Sequence, residues 1–153
     1  MEIKQKLADL CRRYQVADLY VFGSRAREIE ARLSMQPAAC QGSDADVDIG
    51  ILPERMQAWT PAGKVDMAAE LEDLFRVNRV DLVFLPEADP FLAADIIGGK
   101  LLYTGDPDRQ AEYELYVLRR AGDLMPLKKE RIRRTVPGAQ WNCTRNSVRV
   151  RTQ

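Results

Sequence analysis

Two aspartates, Asp46 and Asp48, stand two residues apart at the head of an apolar run, Ile49-Gly50-Ile51-Leu52. On a β-strand alternate side chains point the same way, so both carboxylates would share one face. Two carboxylates so placed repel each other unless a cation sits between them. Hard oxygen ligands suit Mg²⁺. Upstream, the apolar Val21-Phe22 runs into Gly23-Ser24. A Gly-Ser turn that opens a helix can offer backbone N–H groups and a hydroxyl to a phosphate. A third acid, Asp81, lies within Val80-Asp81-Leu82-Val83-Phe84-Leu85. Burying a lone carboxylate costs several kcal/mol, so Asp81 needs a partner. It could pair with Arg79, or share a metal with Asp46 and Asp48. A phosphate cradle beside a magnesium pair is the equipment of phosphoryl or nucleotidyl transfer.

Composition narrows the chemistry further. The chain has 153 residues, 46% of them hydrophobic, and no histidine. It reads as one domain over residues 1–134, large enough for a real core, followed by a tail at 135–153. Without histidine, Ser-His-Asp and Cys-His catalysis and histidine metal sites are excluded, and proton transfer falls to Asp, Glu, Lys, Tyr or water. Cys11, Cys40 and Cys143 show neither zinc spacing nor a disulfide framework and read as reduced thiols. No apolar run is long enough to span a membrane, and the start lacks a signal-peptide core, so a cytoplasmic location is expected. Net charge is zero, but from Lys128 onward eight Lys/Arg face the single acid Glu130. The tail is therefore basic and the body acidic. The tail is too poor in aromatics to read as RNA-binding.

The positioning elements follow from periodicity. Ile3, Leu7, Leu10, Cys11 and Tyr14 recur at helical spacing over residues 2–14. Residues 17–22 read as a buried strand broken by Gly23, with Ser24 as a cap for a helix over 25–33. Residues 34–43, with Pro37 and Gly42, read as loop. The strand at 46–52 ends at Pro53. Thr60-Pro61 starts a helix to about Phe75, and residues 79–85 form a third strand. Asp89-Pro90 opens a short helix through Ile97, and residues 101–103 make an edge strand. A last helix covers about 108–134, with Pro126 expected to kink or end it. Glu70, Glu72 and Asp73 read as a solvated face, Tyr113 and Tyr116 as core, and Trp59 and Trp141 as partner anchors. Beyond Arg134 no period is visible. Strands alternating with helices predict an α/β or α+β domain with a central sheet flanked by helices. Such sheets bind ligands at strand ends, where Gly23 and the acids fall.

Gly23-Ser24-x-Ala-Arg, then Asp46-x-Asp48 heading an apolar strand, then Asp81 in its own strand, resembles the DNA polymerase β-like nucleotidyltransferase superfamily. Within it the chain looks most like the minimal nucleotidyltransferases, the MNT domain proteins. The resemblance covers about residues 15–105 and implies the polymerase β-like nucleotidyltransferase fold, an α/β (α+β) domain with a small mixed central sheet flanked by helices. It implies that Gly23 and Ser24 contact a triphosphate, with Arg25 or Arg27 adding positive charge. It implies that Asp46, Asp48 and Asp81 hold two Mg²⁺ ions and that Asp81 helps deprotonate the attacking hydroxyl, with ATP as substrate.

Two departures stand out. Ser24 and Asp46 are 22 positions apart, more than the family's usual spacing, so residues 29–41 should form a longer helix or a flap. The family's serine before the first acid is Ala45 here, while Ser43-Asp44 offers an alternative register with Asp44 and Asp46 as the pair. Asp46 and Asp48 are preferred because the apolar strand then continues correctly. The resemblance implies AMP transfer to a hydroxyl, on the pattern of antitoxins that modify a tyrosine of a partner HEPN toxin. Two other readings stay open: nucleotide transfer to an aminoglycoside or lincosamide, and a non-catalytic partner-binding module. The small size disfavours a long nucleic acid as substrate. Homo- or hetero-oligomers are both compatible with the sequence.

Overall fold

The computed structural model describes residues 2–35 and 44–135, and the backbone of 139–142 and 147–150. Its elements run α1 (Ile3–Arg13), β1 (Val16–Phe22), α2 (Ala26–Leu33), β2 (Val47–Pro53), α3 (Pro61–Phe75), β3 (Val80–Phe84), α4 (Pro90–Ile97), β4 (Lys100–Thr104) and α5 (Pro107–Thr135). The central sheet has the order β3-β2-β1-β4. β1 is antiparallel to both β2 and β4, whereas β2 and β3 run parallel. The mixed sheet expected from the sequence is therefore observed. Two helix starts also form as their caps dictate: the Thr60 hydroxyl accepts the Gly63 N–H, and Asp89 accepts those of Phe91 and Leu92.

Each face of the sheet carries its own core. On one face Leu7, Leu10 and Cys11 of α1, Ile29 and Leu33 of α2, and Met67, Leu71 and Phe75 of α3 close over Leu19, Val21, Ile49 and Ile51. On the other, Ala93 and Ile96 of α4 and Val117 of α5 cover Tyr20, Leu52 and Leu85. The second layer needs Gly50. A Cβ there would come within 2.2 Å of Ile96 Cγ2, so α4 lies directly on the strand backbone.

Several elements differ from expectation. α5 does not end at Pro126, one of the two outcomes expected there, but continues to Thr135. The carbonyl that a proline ring crowds is four residues back, at Gly122, and space is open beside that glycine, so the backbone has room to yield. Tyr113 joins the second core, but Tyr116 is half exposed. Trp59 stacks at 6.0 Å on Tyr14 and meets Phe84 edge-on at 5.0 Å. It packs, partly buried, against the first core; nothing is described of the Trp141 side chain. Past Arg134, β5 (Ala139–Asn142) and β6 (Ser147–Val150) pair as an antiparallel ribbon, in place of the loose tail expected there. Trp141 and Val148 are in register, and aromatic and β-branched residues favour such pairing. Of the 29–41 insertion, α2 takes the part to Leu33 and residues 36–43 lie outside the described residues. No helix among the described residues is long and apolar enough to cross a membrane.

Candidate active site

Strand register brings the predicted residues together. Phe22, at the end of β1, pairs with Asp48 on β2, and Asp48 pairs with Asp81 on β3. Neighbouring strands lie about 4.8 Å apart, so Asp48 and Asp81 are lateral neighbours on one face. Asp46 lies just before β2, and two-residue alternation returns its side chain to that face. Gly23 closes the third side. It adopts φ +78°, a conformation open to glycine at little cost. Its Cα lies so close to Asp48 that a Cβ would stand 2.6 Å from Oδ2. Asp44 is exposed and precedes β2, so the register with Asp46 and Asp48 is the one that faces Asp81.

The electrostatics follow from that crowding. Burial holds the Asp48 carboxyl above the ordinary carboxylate range, and the charges of Asp81 and Asp46 push it further the same way. One cation already answers part of this charge. Arg79 Nε lies 3.2 Å from Asp81 Oδ1 and 3.7 Å from Asp46 Oδ2. The arginine pairing foreseen for Asp81 therefore exists and extends to Asp46. Arg79 is 67% exposed in its side chain, so the bridge is a weak, solvent-screened one. Among the described residues no three His, Cys, Asp or Glu side chains are drawn together at ligating distance. The three acids nevertheless suit a divalent cation: they are hard oxygen donors under mutual repulsion, and two of them are held by an exposed side chain free to swing aside.

This arrangement predicts a stability effect. A carboxyl whose pKa is raised by folding binds its proton more tightly when folded, so its ionisation at neutral pH opposes the fold. Asp48→Asn removes that burden. At pH 7 without divalent metal, the variant should melt about 1–4 °C above wild type. The gap should narrow as pH falls through the raised Asp48 pKa, where wild type takes up the proton. Mg²⁺ should raise the melting temperature of wild type and not of the variant. Calorimetric scans across pH, with and without Mg²⁺, measure all three.

Ser24 and Arg27 are exposed beside the turn, while Arg25 is turned inward and is only 6% exposed. Its Nε and Nη2 donate to the two carboxylate oxygens of Glu28 at 2.9 and 2.8 Å, and its Nη1 donates to the Ala45 carbonyl at 2.7 Å. A guanidinium so engaged is turned inward, and of the two arginines it is Arg27 that is exposed. Sequence reasoning also missed Glu72, assigned to a solvated face. Its carboxylate accepts the Val80 N–H at 3.0 Å, pinning β3 one residue before Asp81.

A mixed sheet with a glycine turn at one strand end and acids on the two adjacent strands defines a nucleotidyltransferase-type domain. Residues 5–108 match the family described as Polymerase beta, Nucleotidyltransferase, and the chain belongs to that family. Among solved structures, a toxin–antitoxin complex with AMP-PNP is similar at a TM-score of 0.63 and 19% identity, covering 84% of this chain and 94% of that one. The toxin–antitoxin pair MntA–HepT matches at 0.54 and 20%, covering 84% and 90%. A tri-AMPylated Shewanella oneidensis HEPN toxin in complex with MNT antitoxin matches at 0.54 and 21%, covering 84% and 89%. No curated protein matches the sequence significantly.

Proposed function

We propose that this protein transfers AMP from ATP to a hydroxyl group, and that the acceptor is a tyrosine of a HEPN-type partner toxin. One observation carries the reading: Asp48 and Asp81 lie in register on adjacent strands against the Gly23 turn, in a chain of nucleotidyltransferase type. The Gly23 backbone and the exposed Ser24 hydroxyl hold the triphosphate, and Arg27 adds positive charge beside it. Asp46, Asp48 and Asp81 would hold two Mg²⁺ ions, which would supply neutralisation of the developing phosphate charge. Asp81 accepts the proton of the attacking hydroxyl. The hydroxyl oxygen bonds to the α-phosphorus while the bond to pyrophosphate breaks, and no histidine is needed. Support for the partner comes from the solved neighbours, which are complexes of toxin and antitoxin.

The test is direct. The purified protein is incubated with α-labelled ATP, Mg²⁺ and a HEPN-type protein encoded beside it. Label should appear on a tyrosine of that partner and stay absent when EDTA is added. An unlabelled partner, with pyrophosphate released only when an aminoglycoside is present, would replace this acceptor with a small molecule.

A further inference from the structure

Arg25, Glu28 and Arg32 form a chain of charges that reaches well beyond the Gly23-Ser24 turn. Positions 25, 28 and 32 fall on one side of α2 and its first turn, at helical spacing. Arg25 donates to both Glu28 oxygens and to the Ala45 carbonyl. Arg32 donates to the same Glu28 carboxylate and, through Nη1, to the Phe75 carbonyl at 2.6 Å. Phe75 is the last residue of α3, whose end turns through left-handed Arg76. Arg25 and Glu28 are buried to 6% and 8% exposure. The two arginines hold the Glu28 carboxyl below its usual range against the opposing effect of burial, and the Arg25 hydrogen bonds are the largest cause. Exposed ion pairs contribute little, but a buried, bidentate guanidinium–carboxylate pair fixes geometry.

We propose that this Arg25–Glu28–Arg32 clamp is a positioning device for the metal-binding acids: it fixes the Ala45 carbonyl, and through it the placement of Asp46 and Asp48. The inference rests on the metal-site reading above. Ala45 immediately precedes Asp46, and the next amide, Val47 N–H, is bound to the Arg79 carbonyl at 3.0 Å. The peptide bearing Asp46 is thus held from both sides, by Arg25 on one and by the β3 backbone on the other. Arg25 touches no reacting atom in this scheme. It acts by setting where a carboxylate stands, as partners behind metal ligands do.

Arg25→Lys tests this, because lysine keeps the charge but cannot donate to two carboxylate oxygens and a carbonyl from one planar fork. Two readouts are taken on the full chain: amide hydrogen exchange at residues 45–48, and Mn²⁺ affinity by paramagnetic resonance without nucleotide. The clamp predicts exchange at 45–48 at least about tenfold faster and Mn²⁺ binding about 10–100-fold weaker, with core amides of α1 and α3 unchanged. Arg12→Lys, on the exposed face of α1, should alter neither. Exchange at 45–48 equal to wild type overturns the proposal. So does faster exchange shared by the whole core with a lower urea midpoint, since that is general destabilisation. Should Arg25→Lys fail to fold, Glu28→Gln is judged by the same two readouts. Asp46→Ala is titrated in parallel: Mn²⁺ binding unaffected by it would sink the metal-site reading, while the exchange data still decide the clamp.

Discussion

Replacing Asp46 and Asp48 together with alanine is expected to abolish AMP transfer, lowering the single-turnover rate by at least about 10³-fold. On the proposed reading the two carboxylates would supply ligands for ions that stabilise several kcal/mol of transition-state charge, and each 1.36 kcal/mol is about tenfold in rate. The fold should survive. Asp48 opposes folding at neutral pH through burial and the repulsion of Asp81 and Asp46, so its loss relieves strain. The melting temperature of the double variant should equal or exceed that of wild type, and Mg²⁺ should no longer shift it. Quenched-flow transfer of labelled AMP, paired with calorimetry, separates lost chemistry from lost structure. A double variant that labels its partner at the wild-type rate would remove these residues from the mechanism. It would also revive the reading of the domain as a pure binding module.

Gly23→Ala is expected to act almost as strongly by a different route. The residue sits at φ +78°, where a Cβ costs about 1–2 kcal/mol. The added carbon would stand 2.6 Å from Asp48 Oδ2 and 3.5 Å from its Cγ. The contact falls on the far end of a side chain, which yields more easily than a backbone. The fold therefore absorbs the methyl group by turning the Asp48 carboxylate aside. A misplacement of about 1 Å near a reacting centre can cost about 100-fold in rate. Transfer should drop by at least that factor, with Mg²⁺ affinity weakened and the melting temperature lowered by only a few degrees. Titration calorimetry with Mg²⁺ and the labelling assay check both halves. Unchanged metal affinity in a well-folded Gly23→Ala protein would show that the turn does not govern Asp48.

Much of this site was legible before any coordinates. Local sequence dictates that Asp46 and Asp48 share a face and that Gly23 ends a strand, and the structure meets both; Asp81 has the expected arginine partner, but its side chain is 41% exposed, so burial does not demand one. A central sheet with flanking helices follows from the alternation of periods, while its mixed strand directions follow from the family resemblance. What stayed hidden depended on tertiary placement. Arg25, beside Gly-Ser, reads as a phosphate contact; only the packing of α2 turns its guanidinium onto Glu28 and Ala45. A signal was present, since Arg25, Glu28 and Arg32 alternate in sign at helical spacing beside the apolar Ala26, Ile29 and Leu33. Glu72 looked solvated because the Val80 N–H it accepts comes from another element. The packing of Trp59 on Tyr14 and Phe84 was not visible in the sequence because those rings lie far away along the chain.

The bond from Arg25 to the Ala45 carbonyl has a topological corollary. It ties together the two ends of the excursion that leaves the sheet after β1 and returns at β2, closing residues 25–45 into one branch of the chain. Entropy penalises lengthening such a branch only logarithmically, about 0.6 kcal/mol for each doubling. Residues added between Ser34 and Asp44 should therefore leave the acids in place. A single residue added inside β3 has no such freedom, because it would rotate Asp81 to the opposite side of the sheet.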